Sequence, residues 1–148
     1  MDASNYSAIK KKVANGCSIK SPRQVDAGGR SWRIIYYPNG MQPGTTESIS
    51  LYLQLDDAAG GEGFEVQYRF VISAPENGLG FMSGQVVAKF NRLDKNAHGF
   101  ERFVTRDELE KSACLRNDAF HIRCDVTVLS RTRTRSSVEA AAEETSLV

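Results

Sequence analysis

Histidine and cysteine are scarce in this chain. It holds two histidines and three cysteines in 148 residues, which leaves few groups for nucleophilic or metal chemistry. Cys17, Cys114 and Cys124 are odd in number and widely spaced, whereas a secreted scaffold carries an even, dense set. Free thiols in a reducing intracellular compartment, nucleus or cytoplasm, are the expectation. His121 and Cys124 have an H-x-x-C spacing, but strand residues three apart face opposite sides. His98 lies near no cysteine or acidic cluster in sequence. Neither a metal nor any other cofactor is expected. A charge surplus is missing as well. The net charge is +1, and a duplex nucleic-acid binder carries a concentrated basic excess. No apolar run approaches the roughly 20 residues of a membrane-spanning helix. The opening Met1-Asp2-Ala3-Ser4-Asn5 lacks the apolar core of a signal peptide. The glycines have no phosphate-loop spacing, and Asp56-Asp57 reads as a solvated turn rather than a carboxylate pair. With no nucleophile, base and orienter to assemble, an enzyme is not expected.

What the chain does have is alternation. Ile49, Leu51, Leu53 and Leu55 alternate with Ser50, Tyr52 and Gln54. Period two puts the four aliphatics on one face and Tyr52 on the other. Phe64, Val66, Tyr68, Phe70 and Ile72 alternate with Glu65, Gln67 and Arg69, giving a second half-buried strand. Ser31-Trp32-Arg33-Ile34-Ile35-Tyr36-Tyr37 is apolar on both faces, as a central strand is. Trp32 is assigned to the core. Pro38-Asn39-Gly40 closes that strand with turn chemistry. Residues 85–90 and 100–104 read as further strands. Phe120, Ile122, Cys124, Val126 and Val128 mark a long last one. Turns are expected at Gly28-Gly29, at 56–61 and at Asn77-Gly78. Thr105 with Glu108 three residues on has the form of a capping box, so one short helix is predicted near 105–112. Lys10-Lys11-Lys12 reads as a solvated face.

Many strands, Gly/Pro/Asn turns and one minor helix indicate an all-β antiparallel sandwich of seven to eight strands. Two parts are expected: a folded domain over 1–130 and a polar, disordered tail over 131–148. The tail has Arg131, Arg133 and Arg135 among Ser and Thr, then Ala, Glu and Ser, too little apolar surface to pack.

These motifs also resemble a known family. Gly28-Gly29-Arg30-Ser31-Trp32-Arg33-Ile34, Tyr37-Pro38-Asn39-Gly40 and Ser48-Ile49-Ser50-Leu51-Tyr52-Leu53 resemble the MATH (TRAF-like) domain of plant MATH–BTB ubiquitin-ligase adaptors. Gly99-Phe100-Glu101-Arg102-Phe103-Val104, then Arg106-Asp107-Glu108-Leu109 and 118–126, fit its later elements. The resemblance runs from about Tyr6 to Leu129. It implies a TRAF-like sandwich and a peptide-capture role in substrate recognition for cullin-based ligases. Two departures stand out. Only five residues precede Tyr6, so the family's first strand is expected to be short or missing. The chain holds no BTB domain, so cullin recruitment requires one supplied elsewhere. The alternatives are a TRAF-like scaffold that associates with itself or with other MATH–BTB proteins, and a truncated derivative without function.

The resemblance implies a groove for an extended Ser/Thr-rich peptide at Tyr52, Tyr68, Phe90, His98 and Phe100. The family usually has Trp where His98 stands. Alternation agrees for Tyr52, outside the aliphatic face, and puts His98 and Phe100 on one face. It leaves core packing open as an alternative for Tyr68, on the side of Phe64 and Phe70, and for Phe90, in phase with Val86 and Ala88.

Overall fold

The fold is that of a computed structural model. It describes residues 1–25, 29–56, 63–76, 80–91 and 96–129, and the backbone strand at Ala142–Leu147. The turns read at Gly28, at 57–61 and at Asn77-Gly78, and the Arg131, Arg133 and Arg135 stretch, lie outside these residues.

Eleven strands are present among the described residues. One sheet contains β1 (Asp2–Ala3), β6 (Phe64–Ser73), β7 (Gly80–Met82), β8 (Val86–Phe90), β10 (Phe120–Leu129) and β11 (Ala142–Leu147). The other contains β2 (Ile19–Lys20), β3 (Gln24–Val25), β4 (Ser31–Tyr37), β5 (Ser48–Leu55) and β9 (Ala97–Thr105). Every pairing is antiparallel. The count exceeds the expected seven to eight because β1, β2, β3 and β7 are two or three residues long. Such pieces are too short for alternation to register.

The alternating aliphatics do what their period requires. Ile49, Leu51, Leu53 and Leu55 of β5 are buried, as are Val66, Phe70 and Ile72 of β6. Ile122, Cys124 and Val126 of β10, in the same sheet as β6, join the same core. β4 is central, flanked by β5 on one side and by β2 and β3 on the other. Its Trp32, Ile34 and Tyr36 fill the interior, with Trp32 at 0% exposure. Each such side chain contributes roughly 1.5–3 kcal/mol before the entropic cost of ordering it.

Turn chemistry is explicit at Gly40. Its φ is +82°, and a Cβ there would lie 2.0 Å from the Thr45 carbonyl oxygen. Only glycine meets both demands. The predicted capping box is also present. Helix α2 (Arg106–Lys111) starts at Thr105, whose hydroxyl accepts from the Glu108 N–H at 3.0 Å. The Glu108 carboxylate accepts from the Thr105 N–H at 3.0 Å.

Two elements were not foreseen from the sequence. First, the lysine run is the end of a helix, α1 (Tyr6–Lys12). Cationic side chains in a last turn oppose the negative end of the helix dipole. Tyr6 is buried and donates its hydroxyl to Glu110 of α2 at 2.7 Å, and Lys10 pairs with the same carboxylate. Lys11 and Lys12 remain exposed. Second, the tail expected to be disordered over 131–148 contains strand β11, paired along β10 from Leu129 to Cys124. Its backbone groups find partners on a sheet edge, which composition does not foretell.

Candidate functional site

The site takes shape around β9, the last strand of its sheet. Among the described residues β9 pairs with β5 alone, so its other side is a free edge. Register decides which β9 side chains look inward. Leu53 faces His98 and Leu51 faces Phe100 across the pair. His98 and Phe100 therefore share the core face of Leu51 and Leu53, as period two required. Between them Gly99 lies opposite Tyr52. A Cβ at Gly99 would sit 2.0 Å from the Leu51 carbonyl oxygen and 2.6 Å from the Tyr52 Cα. Glycine is what lets β5 and β9 come this close.

A register shift follows. Ile49 pairs with Val104 and Leu51 with Phe100, so one residue of β5 spans three of β9. The buried Ser50 hydroxyl donates to the Glu101 carbonyl oxygen at 2.6 Å and accepts from the Met41 N–H at 3.0 Å, tying down the irregular backbone. Simple alternation would put Phe100 and Phe103 on opposite faces. The bulge brings their rings to 6.0 Å, edge to face. Phe103 is the residue that alternation missed, because bulges are invisible to it.

Four of the five expected groove residues form one connected aromatic group. The Phe90 ring meets His98 at 4.5 Å and Tyr68 at 6.3 Å. Tyr68 meets Phe100 at 6.2 Å, and Phe70 meets both Phe100 and Phe103 at 6.3 Å. Their burial differs. Phe90 is 0% exposed and Tyr68 3%, and Phe90 packs its ring on Trp32 at 5.3 Å. These two are core. His98, Phe100 and Phe103 are half-buried, and the Phe100 and Phe103 rings pack against the edge of the core. His98 Nε2 is 2.8 Å from the Lys89 carbonyl oxygen, which joins β9 to β8.

Tyr52 stands apart from this group. It lies on the outer face of its sheet, half-buried, with its ring 5.8 Å from Tyr37. Burial, then the nearby Glu101 charge, raises its hydroxyl pKa. Burial first of all pushes that of Tyr68 up to about 12. Both hydroxyls are neutral at physiological pH and can donate a hydrogen bond.

No group of three or more His, Cys, Asp or Glu side chains that could hold a metal occurs among the described residues. His121 Nδ1 contacts the Asp2 carboxylate at 2.8 Å, while Cys124 is buried behind it. Burial drives the Cys124 thiol pKa well up, which keeps it protonated. No helix among the described residues is long and apolar enough to cross a membrane.

The candidate site is thus an aromatic-rimmed strand edge on a two-sheet antiparallel sandwich. The model of the MATH domain family matches residues 2–126. The chain is 33% identical to the BTB/POZ and MATH domain-containing proteins 5 and 6 of Arabidopsis thaliana, over 133 aligned positions. It is 31% identical to protein 4 of that series. The alignments cover 82% of this chain. They cover only 31%, 31% and 27% of the three relatives, so the chain spans less than a third of their length. The chain belongs to the MATH domain family, a family of protein-interaction domains.

Proposed function

We propose that this chain captures an extended, Ser/Thr-rich peptide segment of a substrate protein along the free edge of β9. The observation that carries this is the distribution of rings about that edge. A strand added to β9 would send alternate side chains to its two faces. Those on the inner face would meet Phe100, His98 and Phe103, which retain exposed surface. Those on the outer face would pass over Gly99, which has no side chain, toward Tyr52. The five residues thus divide into two contact groups and a support: Phe100 with His98, Tyr52, and the buried pair Tyr68 and Phe90 beneath. An imidazole at 98 offers less apolar contact than a larger ring, which favours a more polar peptide side chain there.

In this reading the chain performs no chemistry. It acts as the recognition part of ubiquitin transfer within the nucleus or cytoplasm, and a cullin enters only through a BTB domain. The kinship with proteins named for both BTB/POZ and MATH domains supports the reading.

The test is titration of a Ser/Thr-rich peptide library against the native chain and Phe100→Ala. Saturable binding that the substitution weakens by about 30-fold or more is expected, the measure of a lost aromatic anchor. No saturable binding, or equal binding by both proteins, would overturn the reading.

A further inference from the structure

At the opposite side of the molecule, β10 has one edge taken by β6 from His121 to Val128. Its other edge is shared by two pieces from the two ends of the chain. Asp2 and Ala3 of β1 lie against His121 and Phe120. Met1 exchanges both backbone bonds with Ile122, its amino group donating to the Ile122 carbonyl oxygen at 2.9 Å and its own carbonyl accepting the Ile122 N–H at 2.8 Å. β11 then covers Cys124 through Leu129, with Leu147 at Cys124 and Ala142 at Leu129. Both pieces run antiparallel to β10 and so run in the same direction. Leu147 and Met1 are separated by a single β10 position, Arg123. In effect one edge strand is made of two chain ends laid in line.

The bonding pattern fixes which groups β11 serves. Ile122 points its N–H and C=O at this edge, so by alternation Cys124, Val126 and Val128 do the same. Arg123, Asp125 and Thr127 turn theirs toward β6. β1 alone would leave the Cys124, Val126 and Val128 groups bare on a strand whose Cys124 and Val126 side chains are fully buried. A long bare edge over a buried layer is a template for another strand.

We propose that the β10 edge beside β1 is a strand-docking site, that Ala142–Leu147 is its resident occupant, and that the same segment from a second copy of this chain docks there when the resident strand is withdrawn. Twelve residues connect β10 to β11. A tether of that length sets an effective concentration on the order of millimolar. The resident strand therefore wins over a second copy at micromolar protein.

The test uses the full chain carrying Glu143→Pro and Thr145→Pro. These positions pair with Val128 and Val126, and proline removes the N–H each contributes. The probe is a labelled synthetic peptide of residues 138–148. The variant is expected to bind it saturably, and the native chain at least about tenfold more weakly, because its tethered strand competes. The same peptide with both prolines should bind neither. Absence of saturable binding to the variant, or equal binding by variant and native chain, overturns the proposal. Hydrogen exchange reads the fold independently. In the variant the amides of Cys124, Val126 and Val128 should exchange faster while those of Arg123, Asp125 and Thr127 keep their protection. Should the double variant lose protection throughout, the single Thr145→Pro chain takes its place under the same criteria. Fast exchange of the first three amides in the native chain would also overturn the proposal.

Discussion

The two faces of the β5–β9 pair carry different kinds of aromatic surface. On the inner face, rings stack in depth: Trp32 under Phe90, then Tyr68 and Phe70, then Phe100 and Phe103 at the rim. Exposure rises along that series from none at Trp32 and Phe90 to partial at Phe100 and Phe103. On the outer face, among the described residues, there is one pair, Tyr37 with Tyr52, and both rings are half-exposed. The inner rings are held by the fold and hold it in turn. The outer pair rests on the sheet and little rests on it. Truncating a ring should therefore register as lost stability at depth and as lost affinity at the rim, and the two faces should differ in the balance.

The largest effect is expected at Phe90. Phe90→Ala should lower unfolding stability by about 3–5 kcal/mol, measured by urea denaturation, because a sealed ring leaves a cavity behind. Out of a total of roughly 5–15 kcal/mol that is a large share. A loss below about 1 kcal/mol would mean that Phe90 is rim rather than core. Next comes the rim itself. Phe100→Ala and Tyr52→Ala should each cost peptide affinity, about 2 kcal/mol or more for Phe100, with far smaller stability losses than Phe90→Ala. Isothermal titration separates the faces. If only Phe100→Ala weakens binding, the peptide touches the inner face alone and the contribution assigned to Tyr52 is wrong.

Much of this was legible in the sequence, for identifiable reasons. The long strands announced themselves because one face of each is buried, and burial imposes period two on β5, β6 and β10. The capping box at Thr105 and Glu108 was readable because its signal is local. Helix α1 was not, since Tyr6-Ser7-Ala8-Ile9 before three lysines gives too short a pattern to show a helical face. Tyr68 and Phe90 stayed ambiguous because alternation says which face a ring takes and nothing of how deep it lies. Phe103 was hidden by the bulge in β9 opposite Ser50, and β11 by a composition that carries no packing signal. In each case the deciding contact is with a residue distant in sequence.

The closeness of β5 and β9 can be tested without touching a ring. Gly99→Ala places a methyl group where the Leu51 carbonyl already sits. The strands must part, at a cost of about 1–3 kcal/mol, the usual range for overpacking. The parting should also blur the difference between the faces, since Gly99 is the gap through which Tyr52 is reached from the edge. Thermal melting and peptide titration on the same variant should both worsen. A variant that melts like the native chain would show that the close approach is not needed.

The smallest expected effect guards the whole comparison. Thr105 ends β9 and caps α2, and it belongs to neither aromatic face. Thr105→Ala removes the hydroxyl that accepts the Glu108 N–H. Loss of such a cap costs about 1 kcal/mol, or roughly 2–4 °C in melting temperature for a chain of this size. Peptide affinity should stay within about twofold of native, because about 1 kcal/mol of stability leaves nearly all molecules folded. This matters for reading the rim variants. If a cap that belongs to neither aromatic face lowered affinity as Phe100→Ala does, the losses at Phe100 and Tyr52 would measure stability too, and the difference between the two faces would carry no information about where a peptide lies.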